Sequence, residues 1–309
     1  MEKATGYKKI IGPMLLLITA LIWGISFVAQ SVGMESIGAF TFSGTRTLLG
    51  AVVLLPAALM NDSKRKKLMP AAEHRESFKT DIRHGIILGL VFFVACNLQQ
   101  FAFYYSTPGK IAFITALYIF FVPIFGMIFF KKRFPAAVWI CAAVALAGLY
   151  MLCIGGSGID GVNTGDLLAL LCSVGFAVHI LLIDMYAPGA NGALLSCVQF
   201  FVGGGISAVL MFIFEDPDPA SMQAALIPIL YSGILSCGIA YTFQIIGQKY
   251  TDPSVASLLM CMESVFAVIA SAIILGQFMN TGETIGCILM FAAIVISQIF
   301  TNRASKTDL

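Results

Sequence analysis

Charge is scarce in this sequence: Lys, Arg, Asp and Glu together make up 11% of 309 residues, and His occurs three times. A water-soluble globule of such length carries about 25% charged residues on its surface, so that class is excluded. Catalytic signatures are missing as well. There is no His-Glu-x-x-His and no adjacent Asp pair, and "GGSG" at 155–158 lacks the second Gly of a nucleophile elbow. These absences leave a membrane-embedded transferase or hydrolase without its machinery. Cys96, Cys141, Cys153, Cys172, Cys197, Cys237, Cys261 and Cys287 contain no Cys-x-x-Cys, and all lie in apolar stretches. That argues against a disulfide framework, a zinc site or any other metal centre, and leaves them as small apolar fillers at helix contacts. No pattern calls for a cofactor.

What is present in quantity is hydrophobic surface: 59% of the residues, with a mean hydropathy of +0.93. Apolar runs long enough to cross a bilayer as helices, about 18–25 residues each, recur from end to end. Ten are read, at about 14–33, 37–60, 84–106, 109–130, 136–155, 165–186, 193–214, 224–248, 254–275 and 283–300. Because the runs are continuous rather than short and alternating, the fold class is all-α integral membrane rather than a barrel. The first run follows Lys3, Lys8 and Lys9 as a secretion signal would. It is too long and lacks a small-residue cleavage site, so it counts as the first span.

Cations are placed asymmetrically. If the ten spans alternate, sixteen of the eighteen Lys and Arg residues fall on one face, with only Arg46 and Lys110 elsewhere. The positive-inside rule then puts both termini in the cytoplasm, in a multi-pass protein of the cytoplasmic membrane. The basic segment 61–83 suggests anionic lipid or nucleic acid, but charge bias alone accounts for it as a solvated topology determinant, and no nucleic-acid partner is expected.

The chain also writes one corner twice. "YYSTPGKIAFI" at 104–114 is echoed by "KYTDPSVASLL" at 249–259, and a shift of 145 aligns 95–154 with 240–299 without a gap. Ala95, Gln99, Tyr105, Pro108, Phe121, Ile124, Ile128, Ile140, Ala147 and Ile154 are then matched identically. Ten matches in a composition this uneven is weak, but the span ends and the Pro-started helices share the same register. Residues 1–157 and 158–309 are therefore read as two repeats. Five spans per copy is odd, so the second copy enters the membrane inverted, the architecture of alternating-access carriers.

Polar groups inside spans are costly unless they face protein or a wet cavity, which makes each a candidate for substrate contact. Glu263 lies mid-span in "MCMESVFA", and its partner under the shift is Tyr118. Asn97, Gln100 and Tyr104 fall at i, i+3, i+7 on one face of the third span, and Tyr241, Gln244 and Gln248 repeat the pattern one residue out of phase. Such stripes suit a hydrated path or equally interhelical glue. His179 in "GFAVH" and Trp23 in "WGISF" occupy comparable places in the first span of each half. Arg46, about mid-depth in the second span, suits either an anionic substrate group or a structural pairing. Gly85 with Gly89, Gly282 with Gly286, and Gly203-Gly204-Gly205 read as close-packing sites. A proton-carrying role for Glu263 follows from a carboxyl group at mid-depth.

These segments together resemble the EamA-type members of the drug/metabolite transporter superfamily. The resemblance covers essentially the whole chain and is carried by "LIWGISF", by Arg46 in "SGTRTLLGA", by "AFYYSTPGKIAFI" and by "KYTDPSVASLLMCMESVFAVIASAIILG". The sequence departs from the family pattern at Ser264, where Pro is usual, and at Gln277 and the "KKR" of 131–133, where acidic residues are usual. The resemblance implies ten helices in two inverted five-helix repeats around a central cavity lined by spans one, three, four, six, eight and nine. It also implies a small-molecule substrate, amino acid or other metabolite, often moved outward. Protons and membrane lipid are the other expected partners, and the oligomeric state is left open. The alternative is a flippase for a lipid or lipid-linked group, or a membrane transferase, which a lipid phosphate beside Arg46 would favour.

Overall fold

The structure, a computed structural model, describes residues 6–106, 108–131, 136–153, 163–275 and, beyond these, 281–282, 284–286, 288–293 and 296. Among the described residues every regular element is helical. Eight helical stretches among the described residues are long and apolar enough to cross a membrane. In the expected positions of spans five and ten stand α6 (Ala136–Cys153) and a shorter apolar helix, Thr284–Ala293. The side chain of Cys153 lies outside the described set, and Cys287, Gln277, Lys132 and Arg133 lie outside it entirely.

The first helix, α1 (Gly6–Gly33), is followed by α2 (Ala39–Leu68) and α3 (Ala71–Ala102). These two run on as helix through the basic segment 61–83. Its Lys, Arg and Leu residues are good helix formers, and the only breaker is Pro70, which ends one helix and starts the next. The result is a projecting helical hairpin bridged by Arg65 to Asp81 at 2.8 Å and His74 to Asp62 at 2.9 Å. Asp81 also accepts from the Asn191 backbone N–H at 3.1 Å, and Arg65 donates to the Gly189 carbonyl at 2.9 Å. Lys249 closes the same corner by donating to the Ala190 carbonyl. Burial there pushes its ammonium below the usual lysine range, with Asp81 opposing the shift and Arg65 adding to it.

At the other end, α2 begins after Gly38, which has no side chain to cap it. The missing cap is supplied from far along the chain. Glu215 accepts the Phe40 and Thr41 backbone N–H groups at 2.9 and 2.7 Å and the Thr41 hydroxyl at 2.6 Å. The position fits the helix dipole, and a Cβ at Gly38 would push the Glu215 carboxyl group out of it. Glu215→Ala is expected to cost about 1–2 kcal/mol, read as a lower Tm of the purified protein, with Glu215→Gln in between. An unchanged Tm for the alanine variant would remove the capping role.

Two spans are broken at matching places. The chain from α4 (Pro108–Thr115) enters α5 (Tyr118–Phe130), and α12 (Pro253–Met260) enters α13 (Met262–Leu275). Each begins at a proline. At each break the winding tightens by one residue: Ile119 N–H donates to the Ala116 carbonyl and Ser264 N–H to the Cys261 carbonyl. Between them in sequence come α7 (Thr164–Tyr186), α8 (Gly192–Phe214), the short α9 (Pro219–Ala224) and a span made of α10 (Leu226–Leu230), a π-wound segment Tyr231–Ala240 and α11 (Tyr241–Gln248).

Glycines set how closely the helices approach. A Cβ on Gly85 would lie 2.7 Å from the Val198 Cβ, and one on Gly89 would lie 2.7 Å from the Val202 Cβ, so the spaced pair on α3 admits α8, as the spacing suggested. Gly203 and Gly204 are similarly crowded, by Phe92 and Leu48, whereas Gly205 faces open space. A Cβ on Gly148 of α6 would stand 2.7 Å from the Gly286 carbonyl oxygen.

Candidate functional site

A partly open cavity lies between the helices. One wall is a stripe of α1: Trp23, Ser26, Phe27 and Gln30, spaced i, i+3, i+4, i+7 and so on one helix face. This stripe extends about 10 Å along the axis. Thr19 donates to the Ala240 carbonyl at 3.0 Å, Tyr231 to the Ile22 carbonyl at 3.2 Å, and Ser26 meets Ser232 at 3.3 Å. The π-wound segment is thereby pinned to α1, with Ser236 exposed to the cavity at its centre. Directly after it, Tyr241 and Gln244 line the cavity, and the Tyr241 ring lies 4.6 Å from that of Trp23.

Another wall comes from the two broken spans. Thr115 and Tyr118 enter at one break and Met260 and Glu263 at the other. Tyr118 OH donates to Glu263 Oε1 at 3.2 Å, and both side chains are buried. Cys261 Sγ, directly at the second break, contacts the Ala116 carbonyl at 3.8 Å. Both contacts join residues 145 apart in sequence, the same shift that aligns the repeats.

Six of the residues singled out from sequence are thus brought together: Trp23, Arg46, Tyr118, Tyr241, Gln244 and Glu263. The others are elsewhere, Gln248 among them, donating to the Ile180 carbonyl at 3.0 Å. Asn97 donates to the Phe93 carbonyl at 2.8 Å and to Ser207 at 2.9 Å, which ties α3 to α8. Gln100 is fully buried without a hydrogen bond from its amide. His179 is fully buried behind Tyr241, with its ring 6.2 Å away, and bonds Gln199 through Nε2 at 3.0 Å. Tyr104 has left the helix altogether. The chain turns at Phe103 through i to i−3 bonds, which carries the half-exposed Tyr104 to the start of α2, where its hydroxyl accepts the Ala39 N–H at 3.0 Å.

Sequence reading missed Ser26, Phe27, Gln30, Gln99 and Thr115. The stripe "WGISFVAQ" was available as a signal, and so was the strict match of Gln99 to Gln244 under the shift. Gln99 donates to Thr115 at 3.3 Å. Several cavity-lining polar atoms are buried and make no hydrogen bond among the described residues: Trp23 Nε1, Gln30 Oε1, Arg46 Nε and Gln244 Oε1. Such atoms cost about 1–3 kcal/mol each when unpaired, so a ligand bringing complementary groups is favoured there. Among the described residues no cluster of His, Cys, Asp and Glu fits a metal ion.

Comparison with known proteins fits this arrangement. The family described as the EamA-like transporter family matches residues 10–154 and again 163–298. An uncharacterized transporter of Archaeoglobus fulgidus is 25% identical over 296 residues, covering 96% of this chain and 88% of that protein. The uncharacterized transporter YoaV of Bacillus subtilis is 23% identical, covering 93% and 97%. The uncharacterized inner membrane transporter YedA of Escherichia coli is 23% identical, covering 90% and 87%. A crystal structure with 19% identity superposes with a TM-score of 0.74, covering 95% of this chain and 98% of its own, which shows a shared fold.

Proposed function

Because this chain belongs to the EamA-like transporter family, we propose that it is a secondary carrier of the cytoplasmic membrane, exporting a small polar or amphipathic metabolite, an amino acid or a related solute, by alternating access. The observation that carries this reading is the Tyr118–Glu263 hydrogen bond between positions 145 apart. Equivalent residues of two copies touch only beside the axis that relates them. The Ala116–Cys261 contact and the two matched helix breaks support the same axis. In an inverted pair of five-helix repeats that axis lies in the membrane plane, and a site on it is equally available to both faces. The reading takes α6 and the Thr284–Ala293 helix as spans five and ten, giving ten, with residues 1–157 and 158–309 as the repeats and both termini cytoplasmic.

Glu263 and Tyr118 form the midplane contact in this account, and Glu263 is the proton carrier. Trp23, Tyr241, Gln244, Gln99 and Gln30 shape the substrate path. Asn97, Gln100, Tyr104 and His179 act through packing around it, since none lines the cavity. Purified protein in liposomes, loaded with a broad panel of metabolites, is expected to show saturable counterflow for at least one class. Absence of such flux across the panel would defeat the carrier reading. Impermeant thiol labelling of single cysteines at Gly109 and Thr251 is expected to report opposite faces, and the same face for both would defeat the inversion.

A further inference from the structure

Arg46 on α2 is a permanent cation with 4% of its surface exposed, and it lines the cavity. Among the described residues the ion pairs are Arg65 with Asp81, His74 with Asp62 and Lys79 with Glu76, and none includes Arg46. Its guanidinium donates from Nη2 to Cys96 Sγ at 2.9 Å and lies 5.4 Å from the centre of the Phe42 ring. Its Nε is buried with no partner. A thiol is a weak acceptor and an aromatic face a modest one, so a group with five donors is held here by partners far weaker than a carboxylate. Among the described residues the one carboxyl group lining the same cavity, Glu263, is engaged by Tyr118 instead.

A buried charge whose partner is missing is expensive, and it is tolerated where a ligand brings the partner. We propose that Arg46 receives the acidic group of the transported solute, so that the cavity takes small organic anions with a carboxylate at the guanidinium and an apolar or aromatic body against the cavity-lining rings of Trp23, Tyr241 and, on α7, Phe176. The inference rests on the carrier reading above and narrows its substrate class. A planar carboxylate can pair with a guanidinium in two parallel bonds, which neither an amide nor an alcohol reproduces.

The test is a set of thermal-shift titrations of the purified full chain with matched probes: phenylacetate, phenylacetamide and phenethyl alcohol, then hexanoate, hexanamide and hexyl alcohol. The acids are expected to raise the Tm, since a ligand held by the folded state stabilises it, with the amides and alcohols at least about 10-fold weaker. Arg46→Gln is expected to abolish the preference for acids and Arg46→Lys to keep part of it. Should Arg46→Gln not fold, the acid-to-amide ratio of the parent and of Arg46→Lys still decides. Equal binding of acid and amide by the parent, no stabilisation by either acid at millimolar concentration, or a full acid preference in Arg46→Gln overturns the proposal. Saturable flux of neutral solutes without any preference for acids sinks the role of Arg46 and leaves the carrier. Arg46-dependent binding of acids with no flux of any solute sinks the carrier and leaves the anion site.

Discussion

Glu263→Gln is expected to yield a folded protein whose substrate flux falls at least about tenfold and whose flux no longer varies with pH. The argument starts from what the substitution keeps. Tyr118 donates its hydroxyl hydrogen to Glu263 Oε1 at 3.2 Å, and the glutamine carbonyl oxygen stands in the same place as an acceptor. Side-chain volume and the contact across the two helix breaks are both retained, so stability should change little. What is lost is the capacity to exchange a proton, at a residue 5% exposed in the wall of the cavity. Glu263→Ala is a different experiment. It strands the Tyr118 hydroxyl in a buried site and is expected to cost about 1–3 kcal/mol of stability in addition to function. Comparing the two separates chemistry from scaffolding. Liposomal counterflow measured across a pH series is the readout, and a glutamine variant with the flux and pH profile of the parent would end the proton-carrying role.

Much of this arrangement was legible because membrane physics is written in runs. Continuous apolar stretches mark the helices, proline marks the starts of α4 and α12, and the shift that aligns the copies pairs Tyr118 with Glu263, the pair in contact in the structure. The places where the sequence misled have local causes. Neither helix break contains Gly or Pro at the break itself: the tightening at Ala116 and at Cys261 arises where the two spans meet, and no local propensity records it. The polar stripe on α3 was counted from Asn97, which in fact faces Ser207 on α8. Starting there selects Gln100, whereas its neighbour Gln99, about 100° around the helix, is the one that reaches the cavity. Tyr104 fell off the stripe because the helix ends at Ala102. In the eighth span the wider π winding from Tyr231 to Ala240 rotates α11 relative to α10, so a plain helical period does not carry across it. His179 was attractive because it is polar and central, but Gln199 on α8 engages it away from the cavity. The basic segment reads from its charge alone as a solvated stretch, although its residues are helix formers and hydrogen bonds from Arg65 to the Gly189 carbonyl and from the Asn191 N–H to Asp81 fasten the hairpin to the Gly189–Asn191 turn.

Gly24→Val is expected to remove most of the folded protein, by at least about 3 kcal/mol, and Gly24→Ala by about 1–3 kcal/mol. Gly24 follows Trp23 on α1 and faces α13 at the level of the site. A Cβ there would stand 2.6 Å from the Glu263 carbonyl oxygen, 2.6 Å from the Phe266 Cβ and 2.8 Å from the Ala267 nitrogen. Two of those three atoms are backbone and the third is the root of a side chain, so no change of rotamer makes room. Either α1 moves away from α13 or the helix carrying Glu263 is displaced, and each outcome opens the cavity wall between Trp23 and Glu263. The "WGISF" segment therefore reads as two demands side by side: an aromatic surface for the cavity at Trp23 and an unobstructed backbone at Gly24. Gly205 provides the control, since a Cβ there meets nothing within 4 Å. On propensity alone Gly205→Ala should be neutral or more stable by up to about 1 kcal/mol. Tm and the monodisperse yield from membranes distinguish the two sites. If Gly24→Val matched the parent in both, the close approach of α1 to the Glu263 helix would be wrong, and with it the wall of the site.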